Sequence, residues 1–188
     1  MRLTEPTTPV LRTRRLVLRA PRMEDAPDIA RHLNNFEVSG NLARVPFPYH
    51  LSDARAWIRS RQGQTQPGEA NFTIEVDGMG YVGHLGFHMQ GEEPGVGYWL
   101  GRPFWGKGIM SEAVEAAINW LFSASDFATI RSGVFYFNAA SLAIQTKLGF
   151  TETGRSSLLC LARGAEVEHI DTQLTRERFQ HMRQASRS

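Results

Sequence analysis

Cysteine is nearly missing from this 188-residue sequence: Cys160 stands alone, so no disulfide can form within the chain. A chain of this length buries most of its apolar surface on folding and needs no such staple. A single thiol suits a reducing compartment, and a cytoplasmic location is expected. Long apolar runs are missing as well. No stretch reaches the roughly eighteen apolar residues of a membrane span. The opening MRLTEPTTPVLRTRR has no apolar h-region, so neither a secretory signal nor a membrane partner is expected. Charge of one sign is also scarce. The net charge is +2, and the densest basic cluster, Arg12, Arg14 and Arg15, is interrupted. Phosphate-backbone affinity needs many concentrated cations, which argues against nucleic-acid binding as the main role. Lysine is rarest of the cations: of 21 basic side chains only Lys107 and Lys147 are lysines. An arginine-rich bias explains that count as well as a need for a compact ammonium at those two places.

With 41% hydrophobic and 21% charged residues, the chain reads as one ordinary globular domain over 1–188, its core from about 11 to 179 and a polar tail over 180–188. RLVLRAP (Arg15–Pro21) alternates as a strand does. MEDAPDIARHLNN reads as a helix with acids and Pro27 in its first turn. NLARVPFPYH is a proline-broken loop. Ser52 is the expected N-cap of DARAWIRSRQ, whose Ala54, Trp57, Ile58 and Arg61 share a face. GQTQPGE reads as a turn. NFTIEV, YVGHLGFHM and VGYWLG read as a meander, with DGMG and GEEPG as its turns. Ser111 to Phe122 is the longest amphipathic helix. TIRSGVFYF reads as a strand, AASLAIQTKL as a helix between Asn138 and Gly149, and HIDTQLT as a last strand. This order predicts a mixed α/β (α+β) sheet with helices on both faces.

Within GYWLGRPFWGKGIMSEAVEAAINWLF (Gly97–Phe122), Gly101, Gly106 and Lys107 spell G-x-x-x-x-G-K. A magnesium-dependent phosphate loop needs Ser or Thr next, and Gly108 stands there. Pro103 removes a backbone donor, and TIRSGVFYF ends without a metal-binding Asp. These features argue against a nucleotide-hydrolysing loop and against a bound metal. Gly106 and Gly108 still let the backbone approach an anion at a helix N-terminus, with Ser111 adding a hydroxyl. A glycine turn that merely starts a helix explains the same residues.

FNAASLAIQTKLGF (Phe137–Phe150) is a second constellation. Asn138 places an amide at a strand–helix junction, and Ser141 follows one turn later. An Asn cap, a surface Lys147 and a Gly149 C-cap also account for it locally.

Together and in order, GYWLGRPFWGKGIMSEA and NAASLAIQTKLGF resemble the cofactor segments of the GNAT acetyltransferases, in the branch of the RimJ/RimL ribosomal-protein N-terminal acetyltransferases. LRTRRLVLRAPRMEDAPDIARHLNN resembles the opening strand and helix of that branch, SDARAWI its second helix, and ARGAEVEHIDTQLTRERF its closing strand. The likeness spans roughly Leu11 to Phe179.

The resemblance implies an acyltransferase domain with a mixed, mostly antiparallel sheet and a V-shaped splay between its two central strands. It implies acetyl-CoA as donor, CoA as product and an amine as acceptor. The N–H groups of Gly106, Lys107, Gly108, Ile109, Met110 and Ser111 would hold the pyrophosphate. The main chain of Tyr98, Trp99 and Leu100 would bond the pantetheine arm, as would Asn138, with Ser141 nearby. Monomer and homodimer are both open.

Three departures matter. In the family's Q/R-x-x-G-x-G/A loop the end positions are Trp105 and Met110; Trp is usual in this branch. Gln145 stands where many members carry Tyr. Gly95 stands where this branch often carries the Glu that serves as base, with Glu92 and Glu93 displaced upstream. Acetyl transfer needs a neutral amine, a polarised carbonyl and a departing thiolate. Ser141 is the candidate acid and Glu93 the candidate base, with Glu92, His84 and His88 as further bases. Each also reads as an ordinary structural or surface residue. The alternatives are a CoA-binding scaffold of regulatory role and a P-loop phosphotransferase. The acceptor, a protein N-terminal amine or a small-molecule amine, is expected to be chosen by NLARVPFPYH, the QGEEPG turn and the C-terminal strands.

Overall fold

The alternating segments of the sequence assemble into one sheet. The computed structural model describes residues 8–62 and 67–186. The turn expected over GQTQPGE lies partly outside the described residues, as do the first seven and last two positions. In chain order the elements are β1 (Leu11–Arg12), β2 (Leu16–Arg19), α1 (Ala26–Leu33), α2 (Phe36–Ser39), α3 (Leu51–Arg61), β3 (Ala70–Val76), β4 (Gly80–Gln90) and β5 (Glu93–Leu100). There follow α4 (Ile109–Ala124), β6 (Thr129–Phe135), α5 (Ala139–Leu148), β7 (Thr151–Cys160), β8 (Ala165–Thr175) and α6 (Arg176–Ala185). The sheet has eight strands in the order β1-β2-β3-β4-β5-β6-β8-β7.

Neighbouring strands are antiparallel except β5 and β6, which are parallel and share one register pair, Gly95 with Arg131. By contrast β4 and β5 pair from Gln90–Glu93 to Gly83–Leu100. The sheet therefore splits beyond Gly95, which is the expected splay.

Helices cover both faces. On one, Phe72, Leu85, Phe87 and Val96 pack with Val114, Ile118 and Leu121 of α4 and Phe179 of α6. On the other, Tyr81 packs with Ile29 and Leu33 of α1 and Ala54 and Ile58 of α3. A bulge on β4 opposite Ile74 and Glu75 turns Tyr81 to the core opposite that of Leu85 and Phe87, which plain alternation would not do. A buried ion pair fastens α1 to the sheet: Arg19 grips Asp25 at 2.7 and 2.9 Å, and Thr73 and the Arg22 N–H also bond that carboxylate. Among the described residues, no helix is long and apolar enough to cross a membrane.

Several boundaries differ from expectation. The N-cap of α3 is His50, whose N–H bonds Asp53 at 2.8 Å, so Ser52 lies inside the helix. Helix α4 starts at Ile109, before Ser111. Strands β1 and β7 and the single turn of α2 went unread. The expected tail is helical to Ala185, where α6 continues from a Thr175 cap.

Candidate active site

The loop between β5 and α4 is held by its own side chains. Gly101 has no room for a Cβ, which would meet the His32 ring at 2.5 Å. Trp105 donates its indole N–H to the Leu100 carbonyl at 2.9 Å. Gly106 and Gly108 stand at φ +72° and +71°, the left-handed region that disfavours side chains. Nothing lies within 4 Å of a would-be Cβ at Gly106. The Glu112 N–H is bonded to the Gly108 carbonyl at 3.2 Å, so the N–H groups of Ile109, Met110 and Ser111 precede the helical ladder. Ile109 and Met110 bury their side chains in the core, so Met110's bulk does not obstruct these donors. The N-terminal end of a 16-residue helix adds its partial positive charge.

Arg15 reaches this loop from the far edge of the sheet. Its Nη1 donates to the Lys107 carbonyl at 2.9 Å, and its Nε to Glu112 at 2.7 Å. Thr13 and the Arg15 N–H bond the same carboxylate at 2.6 and 3.0 Å. Burial pushes the Glu112 carboxyl up, but these bonds hold it below the usual range. Nη2 of Arg15 lies 3.4 Å from where a Gly108 Cβ would be. Main-chain donors, open glycines and a guanidinium suit a pyrophosphate. Lys107 extends over the Phe104 ring, 5.9 Å from its centre.

The gap beside this loop is lined by β5. The Val96 carbonyl accepts from Ser132 on β6 at 2.9 Å, and the Leu100 carbonyl accepts from Trp105. Main-chain groups point to alternate edges of a strand. The N–H and C=O of Tyr98 therefore also face the gap, while Trp99 turns its main chain toward His84 of β4. Of the expected pantetheine contacts on this strand, the Tyr98 main chain faces the gap, the Leu100 carbonyl is taken by Trp105, and Trp99 is turned to β4.

The Tyr98 phenol points to α5. Ser141 Oγ donates to it at 2.9 Å, and the Ser141 N–H donates to Asn138 Oδ1 at 3.2 Å, which caps the helix. Burial raises the Tyr98 phenol above its ordinary value, against bonds from Ser141 and Gln145. Gln145 is buried and ties α5 to the sheet, donating to Ser132 at 3.0 Å and accepting from Thr172 at 2.6 Å. A phenol thus approaches α5 from across the gap, where α5 itself carries an amide. Glu93 is ion-paired with Arg131 of β6 at the closed end of the gap.

The opposite face of the gap is glycine-lined. Gly97 meets nothing within 4 Å, and a Cβ at Gly95 would strike Gln90 Nε2 at 2.5 Å and His88 Nε2 at 3.1 Å. Across the gap a Cβ on Gly133 would strike His169 at 2.1 Å (Cε1) and 2.7 Å (Nε2), so the imidazole lies on that glycine. His169 Nδ1 is 2.8 Å from Asp171 Oδ1, which also accepts from Ser156 Oγ at 2.9 Å. The H-I-D spacing, which puts both side chains on one strand face, was the overlooked signal.

His84 is different. It is buried edge-on to Trp57, and burial pushes its imidazole down to about 3. Burial also lowers His88, whose Nε2 is 2.9 Å from Gln90 Nε2. Beyond His169 the β7–β8 hairpin docks on residues 40–43: Arg163 donates to the Gly40 carbonyl at 2.7 Å and Leu161 to Ala43 at 3.1 Å.

The chain is similar to known proteins in sequence and in fold. The acetyltransferase (GNAT) domain family matches residues 15–151. An uncharacterized N-acetyltransferase of Bacillus licheniformis, p20, is 35% identical over 151 residues, covering 77% of this chain and 83% of that one. The [ribosomal protein uS5]-alanine N-acetyltransferase of Escherichia coli is 30% identical over 108 residues, covering 57% of this chain and 50% of that one. The solved structure of Mycobacterium smegmatis RimJ in complex with CoA-disulfide superposes with a TM-score of 0.75 at 22% identity, covering 99% of this chain and 93% of that one.

Proposed function

The chain belongs to the acetyltransferase (GNAT) family, and from that premise we propose that it moves an acetyl group from acetyl-CoA to a primary amine by direct attack in a ternary complex. The observation that carries the reading is the open edge of Tyr98, set between the glycine loop and the Asn138–Ser141 turn.

The N–H groups from Gly106 to Ser111, with the Arg15 guanidinium beside them, bind the pyrophosphate. Tyr98's main chain orients the pantetheine arm, and Asn138's amide nitrogen adds a donor. Acetyl-CoA supplies a thioester, whose thiolate leaves readily because a free thiol titrates at about 8.5. The Tyr98 N–H polarises the carbonyl as an oxyanion donor does. Ser141 passes a proton to the departing sulfur, and the Tyr98 phenol it is bonded to is held protonated at neutral pH by burial. The acceptor enters on the Gly95–Gly97 face. Glu93, the base expected from the sequence, is taken up by Arg131, a pairing that holds β5 to β6 where the gap closes.

The relative from Escherichia coli supports a protein N-terminal α-amine as one acceptor class. An α-amine titrates at about 7.7–8.0 and is already partly neutral, whereas a lysine amine, at about 10.4, is not. The test is thiol release from acetyl-CoA across peptides with free N-termini, amino acids and polyamines. Acceptor-dependent release is expected. Acetyl-CoA binding with no turnover on any acceptor would favour a CoA-binding scaffold instead.

A further inference from the structure

We propose that His169 and Asp171 form the general-base pair that takes the proton from the acceptor amine, a role resting on the acetyltransferase reading above. His169 Nδ1 lies 2.8 Å from Asp171 Oδ1. With its proton on Nδ1, pointed at the carboxylate, the imidazole presents Nε2 as an acceptor. Asp171 is itself fixed by the Ser156 hydroxyl at 2.9 Å. Phe135 meets the ring edge-on at 5.9 Å. The ring is thus oriented by β6, β7 and β8 together. Among the described residues, no hydrogen-bond partner faces Nε2.

Position makes this pair functional. Nε2 and Cε1 lie over Gly133, two residues beyond the Gly95–Arg131 pair where β5 and β6 part. Gly97, at the same height on β5, is open. A side chain at either glycine would fill the space between the imidazole and the gap. The other titratable groups around this face are committed elsewhere. Glu93 is ion-paired with Arg131, His88 is hydrogen-bonded to Gln90, and His84 is buried. The missing acid at Gly95 is therefore answered from the other side of the gap.

The step balances. Nε2 takes one proton from the ammonium of the acceptor. The freed lone pair forms the C–N bond; Nε2, having released its first proton to solvent, takes the second proton from the now cationic nitrogen, the C–S bond breaks, and the sulfur leaves with its electron pair. Ser141 and Tyr98 give that sulfur a proton from their side of the sheet and are reprotonated from solvent, so one proton is released overall. The proton on Nε2 passes to solvent, which His169 reaches through its 16% exposed side chain. Asp171 is a positioning residue: it holds the tautomer and touches no reactant.

Three variants and one footprint test this. His169→Gln should bind acetyl-CoA as the parent does yet lose about 100-fold or more in kcat with an α-amine peptide. The loss should shrink for an amine acceptor already neutral at the assay pH. His169→Ala should behave alike and be partly rescued by added imidazole. Asp171→Asn should donate to Nδ1, forcing the proton onto Nε2, and lose activity without losing acetyl-CoA affinity. Independently of any acceptor, diethylpyrocarbonate should modify His169 in the parent protein, read by peptide mass spectrometry, and saturating CoA should slow that reaction. Parent-like turnover in His169→Gln, an equal loss for ionised and neutral amines, or modification indifferent to bound CoA would each overturn the proposal. Failure to bind acetyl-CoA at all would instead overturn the reading it rests on.

Discussion

At Gly108 the backbone stands at φ +71°, so any side chain adds strain of about 1–3 kcal/mol. A carboxylate there would also meet Arg15 Nη2, 3.4 Å from the Cβ position, and repel a phosphate. Gly108→Asp is expected to weaken acetyl-CoA binding at least tenfold by calorimetry, and unchanged affinity would place the phosphate site elsewhere. Lys107→Ala should change it by no more than about 1 kcal/mol, because an exposed charge contributes little beside main-chain donors. His84 makes a different kind of prediction. Its folded value of about 3 lies below that of an unfolded histidine, so the unfolded chain takes up a proton that the folded one refuses. Stability should fall as pH drops from about 6.5 toward 3. His84→Gln should flatten that limb in urea titrations at successive pH values.

Elements are joined here by side chains far apart in sequence. Glu112 binds Thr13 and Arg15, fastening α4 to the start of β2 and steadying the phosphate loop. Glu112→Ala should therefore lower both the melting temperature and acetyl-CoA affinity. The Arg19–Asp25 pair does the same for α1. Burial pushes the Asp25 carboxyl up, but Arg19, the Arg22 N–H and Thr73 hold it below the ordinary range. Its contribution is complete above the unfolded carboxylate value and is lost as pH falls through the depressed one. Asp25→Ala leaves a buried guanidinium partly unpaired and should cost about 3–5 kcal/mol in denaturant unfolding. The meander and the main helices were legible because apolar periodicity follows burial on one face. Strand β7 was not: it is the sheet's edge, exposed along most of TETGRSSLL, so nothing forces alternation. Arg15's reach to the loop left no local pattern. The H-I-D spacing pairs His169 with Asp171, but their place beside the gap follows only from β8 lying next to β6.

For the whole molecule, the split between β5 and β6 decides how chemistry is divided. One sheet face carries the glycine loop, Tyr98 and Ser141; the other carries Gly97, Gly133 and His169. Donor and acceptor can then approach through opposite sides of one sheet and meet in the gap. The near P-loop of the sequence is explained by this plan: Gly108 gives backbone donors room where a magnesium ligand would otherwise stand. Residues 40–43 and the β7–β8 hairpin docked on them, segments where the acceptor is expected, have side chains that follow no periodic code. The most direct measurement is thiol release from acetyl-CoA by the full chain, with and without each amine of the panel. Release should require an amine and be lost in Gly108→Asp. Release indifferent to every amine, or none while acetyl-CoA is bound, would contradict acetyl transfer to an amine.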